Sequence, residues 1–210
     1  MEKAKNWIKS HRKPLLIGAV CLAAVLVLVV VLRSCGSQNE DPFPTLTIET
    51  PEKISAGSTQ ELLLDVGISS FGEDIYPAAS FIIHFDPART EFLGVEEGNV
   101  FIGNTETSSG TTIKLPDWSC NIEQSNKSGQ INIMYLDLTG GEKAFTRDLL
   151  EEEENVVFRL RFRLTGGARP GDVCDLIVED AVFAASDSTR SLSTLQGTLK
   201  AVNGKIVVGD

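Results

Sequence analysis

From Leu46 to Val208 the chain alternates apolar and polar residues in short runs broken by Gly, Asn, Asp, Ser and Pro. A period of two turns successive side chains to opposite faces, so such runs are half-buried strands, and many short ones in series point to an all-β sandwich or barrel. The runs predict strands over 46–49, 61–69, 79–85, 91–95, 100–102, 111–115, 130–136, 155–164, 173–183, 197–202 and 205–208. Asn203-Gly204 is read as a two-residue hairpin turn, because both residues accept positive φ. Residues 143–150 suggest a helical turn, and the acidic run 151–154 a solvated loop.

Alternation also assigns faces. In 81–85, Phe81, Ile83 and Phe85 point one way and Ile82 and His84 the other. In 131–136 the bulkier set Ile131, Ile133 and Tyr135 belongs inside, which sends Met134 and Leu136 out. Arg159, Arg161 and Arg163 share one face of their strand, where cross-strand acids would pair with them.

The N-terminal part is different in kind. Residues 14–32 are 19 uncharged, apolar positions, and at about 1.5 Å per residue they reach across the roughly 30 Å of a bilayer core. Such a run exceeds the apolar region of a signal peptide. Lys3, Lys5, Lys9, Arg12 and Lys13 precede it, which places residues 1–13 in the cytoplasm and everything after residue 33 outside. The expected organisation is a basic N-terminus, a single transmembrane helix over 14–32, a linker over 33–44 and one domain over 45–210, held at the plasma membrane. Ser34-Cys35 followed by Gly resembles a lipoprotein cleavage site, but Arg33 stands where a small or apolar residue is usual. Fully extended, the linker spans about 40 Å at most.

Of 19 Lys/Arg and 29 Asp/Glu, six basic residues and one acid precede Ser34. The remainder therefore carries 13 against 28, a strongly acidic domain that repels nucleic acid and anionic lipid. Cys120 and Cys174 are the domain's two cysteines. An outside location permits a disulfide between them, and no zinc-like spacing competes. His84 is the domain's single histidine, with no GxSxG or HExxH motif, and no phosphate loop occurs, so the chain is read as no enzyme.

Four blocks carry a resemblance: 81–98 (FIIHFDPARTEFLGVEEG), with its aromatic-Asp-Pro turn and closing Val-x-x-Gly; 129–140 (GQINIMYLDLTG) leading to Phe145; 156–162 (VVFRLRF); and 182–185 (VFAA) with 202–208 (VNGKIVV). In this order they resemble the cohesin domains, the modules that receive dockerin domains in cellulosomes. The resemblance implies a nine-stranded jelly-roll β-sandwich and a partner-binding face at Ser80, Ile82, His84, Met134, Leu136, Asp137 and Thr139. Ala78, Ser80 and Asp137 depart from the Asn, Asp and Glu frequent in the family, which leaves the class of dockerin open. Calcium would belong to the dockerin partner, since this chain has no D-x-D-x-D-G loop and no cofactor of its own. A carbohydrate-binding module or a structural part of an envelope assembly is compatible with the same sandwich. Sugar stacking, however, needs exposed aromatics, and Trp118 reads better as a lid on the core.

Overall fold

The computed structural model describes residues 43–100, 118–150 and 155–210, with the backbone of 105–106 and 112–113. The expected membrane helix, the linker and Cys35 lie outside the described residues. Among those described, no helix is long and apolar enough to cross a membrane.

Among the described residues there are thirteen strands: β1 (Thr45–Ile48), β2 (Ile54–Ser55), β3 (Leu62–Ile68), β4 (Ala78–His84), β5 (Thr90–Glu97), β6 (Thr105–Glu106), β7 (Thr112–Ile113), β8 (Gln130–Leu136), β9 (Val156–Leu164), β10 (Val173–Ala184), β11 (Leu192–Ser193), β12 (Lys200–Val202) and β13 (Gly204–Gly209). Nine of these are three residues or longer. They form an all-β sandwich. One sheet has the order β12-β1-β3-β9-β5; the other runs β2-β13-β10-β4-β8, with β11 beside β10. Pairing is antiparallel except for β1 with β12 and β13 with β2.

The core lies between the sheets and is dominated by aromatics. Phe81, Phe158 and Trp118 pack with ring centroids 4.9–6.0 Å apart, and Phe71, Tyr76, Phe145 and Phe183 extend the cluster at one end. Phe85, Phe92 and Phe162 fill the other. Each such ring, taken out of water, contributes about 1.5–3 kcal/mol. The inward set read from alternation (Phe81, Ile83, Phe85, Ile131, Ile133 and Tyr135) is buried throughout, and Trp118 is part of the core.

On the outer face of the first sheet, the three arginines of β9 pair across strands. Arg159 meets Asp65 at 2.8 Å, Arg161 meets Glu61 at 2.5 Å and Glu96 at 3.4 Å, and Arg163 meets Glu91 at 2.5 Å. The hydrogen bond from Arg161 holds the Glu61 carboxyl below its ordinary value of 4.5. Because the folded value is the lower one, this pair stabilises the fold fully above about 4.5 and loses that contribution as pH falls through the lowered value. Melting temperature is accordingly expected to fall on acidification in that range, and Arg161→Gln to flatten the slope. An identical slope in the variant would contradict the assignment. The effect is small, since the pair is exposed.

The Phe85-Asp86-Pro87 motif is a capped turn. Asp86 Oδ1 accepts from Ala88 N at 2.9 Å, its carbonyl accepts from Thr90 N at 3.0 Å, and its other carboxylate oxygen pairs with Arg89. The Arg89 side chain first, and then the Ala88 N–H, hold the Asp86 carboxyl below the usual range.

Three features depart from the sequence reading. A seven-residue helix, α1 (Ile122–Ser128), follows Trp118; it is capped by Asn121, whose side chain accepts from Gln124 N, and stopped by Gly129 in the left-handed region at φ 72°. Its Asn126 side chain bonds both the N–H and the carbonyl of Phe92 at 2.8 Å, and so covers the open edge of β5. Asn203-Gly204 is not a hairpin turn, because β12 and β13 belong to different sheets. Asn203 Oδ1 instead accepts from Val178 N at 2.9 Å, and Gly204 passes so close to Ile48 that a Cβ would meet its side chain at 2.6 Å.

The third departure concerns the cysteines: Cys120 and Cys174 are free thiols, not a disulfide. Ser119 bridges to Met134, which stands opposite Ser80 and hence in line with Val182, whereas Cys174 lies eight residues back along β10. At about 3.3 Å per residue the two are roughly 25 Å apart, far beyond the Cα separation of about 7 Å that a disulfide tolerates. Burial pushes both thiols up, Cys174 opposite Ile206 in the core and Cys120 half-buried against it.

Candidate docking face

The antiparallel registers of β8, β4 and β10 lay the outer face of the second sheet out as rows. Leu136, Ala78 and Ala184 form the first row and Met134, Ser80 and Val182 the second. Asn132, Ile82 and Asp180 follow, then Gln130, His84 and Ile177. The first two rows are apolar apart from one hydroxyl. Their small residues in β4 and β10 stand beside long ones in β8, which leaves a groove of about 400 Å³ lined by Ala78, Ser80, Met134, Leu136, Leu138 and Val182 among others. Met134 and Leu136 are 61% and 54% exposed. Large side chains thus stand in water side by side along a concave strip, which makes it the candidate interaction surface.

Ile82, grouped with this pair by alternation, points outward but is half-buried one row further on and does not line the groove. Leu138 takes its place at the opposite end and is 64% exposed. Sequence reasoning missed it because the expected strand was ended at Leu136, although the alternation continues through buried Asp137 to exposed Leu138.

Asp137 is what turns Leu138 outward. It is only 8% exposed, and its carboxylate accepts from Thr139 N at 2.7 Å, Thr139 Oγ1 at 2.5 Å and Gly141 N at 2.6 Å. Thr139 Oγ1 in turn accepts from Lys143 N at 3.1 Å. Gly140 and Gly141 supply the positive φ that the turn needs, at 81° and 109°. These bonds correct the expected position of Asp137: it lies under the face and shapes its rim, with Thr139 as its partner in the turn. Ser80 lies in the groove, on the second row.

His84 sits at the far end. Its Nε2 lies 2.5 Å from a carboxylate oxygen of Glu179. The β-bulge in β10 between Val178 and Asp180 places Glu179 outward beside Asp180. Among the described residues there is no cluster of three or more metal-ligating side chains. Tyr76, Tyr135 and Trp118 are all buried, and Phe43 is the one aromatic among the exposed large apolar side chains, so the described surface offers no row of rings for a sugar.

No protein-family model and no curated protein matches the chain. Solved structures do match, cohesins among them. A type I cohesin from Clostridium thermocellum, solved in complex with a dockerin, superposes at a TM-score of 0.55 with 20% identity, over 79% of this chain and 99% of the other. The sixth cohesin of Acetivibrio cellulolyticus scaffoldin B, also in complex with a dockerin, superposes at 0.54 with 18% identity over 79% and 99%. A non-cellulosomal cohesin from the archaeon Archaeoglobus fulgidus reaches 0.52 with 12% identity over 80% and 92%. The domain therefore has the cohesin fold.

Proposed function

We propose that this chain is a non-enzymatic docking module that binds dockerin-bearing proteins through the outer face of β8, β4 and β10 and, through residues 14–32, holds them near the plasma membrane on its outer side. The observation that carries the reading is the contrast between the two sheet faces. One is a ladder of arginines already satisfied by acids of the same chain; the other exposes Met134, Leu136 and Leu138 around a groove. A helix laid in that groove would bury the three side chains as the dry centre of an interface, with Ser80 available for a hydrogen bond. Two of the structurally similar cohesins were solved with a dockerin bound, which supports the class of partner. Calcium would enter with that partner.

The test is capture. Full-length chain, solubilised in detergent and immobilised, should retain dockerin-bearing proteins in the presence of calcium and release them in chelator. Retention of none, or retention indifferent to chelator, would contradict the reading.

A further inference from the structure

Met134 is set apart from the rest of the groove by its chemistry. It carries the only thioether of the chain beyond Met1, is mostly exposed, and lines the groove directly across from Ser80 on β4. Its main chain is fixed from both sides. β4 pairs with one edge, and on the other Met134 N donates to Ser119 O at 2.9 Å while Ser119 N donates to Met134 O at 2.8 Å. The sulfur can therefore react without the strand having to move. The domain's other two sulfurs are shielded: Cys174 is buried and Cys120 half-buried, and burial, which pushes both thiols up, keeps them in the less reactive protonated form. Within the domain, an oxidant arriving from solvent meets Met134 first.

We propose that Met134 is an oxidation site that switches docking off: a peroxide converts its thioether to the sulfoxide, and the groove then no longer accepts its partner. This rests on the docking reading and adds regulation to it. In the step itself the sulfur lone pair attacks one peroxide oxygen, the O–O bond breaks as the S–O bond forms, sulfur is oxidised, and the other oxygen leaves as water. One added oxygen suffices because of what surrounds it. The first two rows of the face hold a single side-chain hydroxyl, that of Ser80. In the free chain water satisfies the sulfoxide oxygen. Beneath a covering partner Ser80 is the one donor those rows supply, and its hydroxyl is then lost to the partner, so docking either buries a polar oxygen unpaired or gives up a hydrogen bond of its own. The partner in turn covers the sulfur, so docking and oxidation exclude each other.

The test treats full-length chain in detergent with hydrogen peroxide until peptide mapping shows Met134 converted to the sulfoxide, and then titrates in a dockerin-bearing protein retained by the capture experiment. Affinity should fall about tenfold or more, with the melting temperature unchanged. It should return after treatment with a pair of methionine sulfoxide reductases, one for each epimer. Met134→Leu keeps an apolar side chain of similar size together with Met1 and every cysteine, and should show the same affinity before and after peroxide. Melting curves establish that each variant is folded. Unchanged affinity with Met134 fully oxidised, in a chain whose docking Met134→Asp abolishes, would overturn the switch and leave the docking face standing. An equal loss in parent and Met134→Leu would overturn it likewise, because the oxidised residue would lie elsewhere. A partner that binds the untreated parent and Met134→Asp equally would overturn switch and docking face together.

Discussion

Replacing Met134 and Leu136 together by aspartate is expected to weaken partner binding by at least about a hundredfold and to leave the melting temperature close to that of the parent. Both side chains are mostly in water in the free chain, so the change costs the fold little. In a complex each would lose the roughly 1.5–3 kcal/mol that burying a large apolar side chain contributes, and each new carboxylate would be desolvated without a partner. A hundredfold corresponds to about 2.8 kcal/mol, less than those losses combined. Calorimetric titration of a captured dockerin into parent and variant measures the change. Unaltered affinity would place docking on another face.

The largest effect on stability is expected at Gly98, the glycine that closes the Val-x-x-Gly of the first block. Here the chain leaves β5 and folds against β9: Gly98 N donates to Val157 O at 3.2 Å and Val100 N to Val156 O at 3.1 Å, while Asn99 Oδ1 accepts from Val156 N at 2.6 Å. A Cβ at Gly98 would lie 1.9 Å from Val156 O and within 2.6 Å of two further backbone carbons. No side-chain rotation relieves a clash with main chain, so β5 and β9 would have to separate. Gly98→Ala should therefore cost about 3 kcal/mol or more, a drop in melting temperature of roughly 6–12 °C for a domain of this size. A variant that melts within a degree of the parent would refute the close approach.

How far the sequence could be read depended on whether a feature has a period. Strand faces have one. Phe81, Ile83, Ile131 and Tyr135 were assignable to the core, and Met134 and Leu136 to the surface, because adjacent residues must point oppositely. The arginine ladder was legible for the same reason, since three charges at a spacing of two define a face. Features built on single hydrogen bonds or single contacts left no such pattern. Asp137 in the sequence is simply an acid after a strand, and only its bonds to Thr139 and Gly141 reveal that it lies beneath the face. Asn203-Gly204 carries the composition of a hairpin, yet its role depends on two distant partners, Val178 and Ile48. The helix α1 has one exposed apolar residue, Ile122, and no amphipathic stripe; its place is set by Asn126 reaching Phe92. The cysteine pairing failed because reading two thiols as neighbours needs the register of β8, β4 and β10, which cysteine count alone does not contain.

The face that results combines the two kinds of information. Alternation supplies Met134 and Leu136 and, carried two residues past the strand, Leu138, whereas tertiary contacts supply the small residues Ala78 and Ala184 that open the groove and the bulge that brings Glu179 and Asp180 to its acidic end. The central claim is that a partner covers this face.

One side chain reports on it directly. The sequence has two methionines, Met1 and Met134, and the sulfur of a surface methionine is readily oxidised to the sulfoxide. Hydroxyl-radical footprinting, read by mass spectrometry with and without a saturating dockerin-bearing partner, should show Met134 oxidised in the free chain and protected in the complex. Leu63, exposed on β3 in the opposite sheet, should react equally in both. Met134 oxidised at the same rate in the complex as in the free chain would contradict the account.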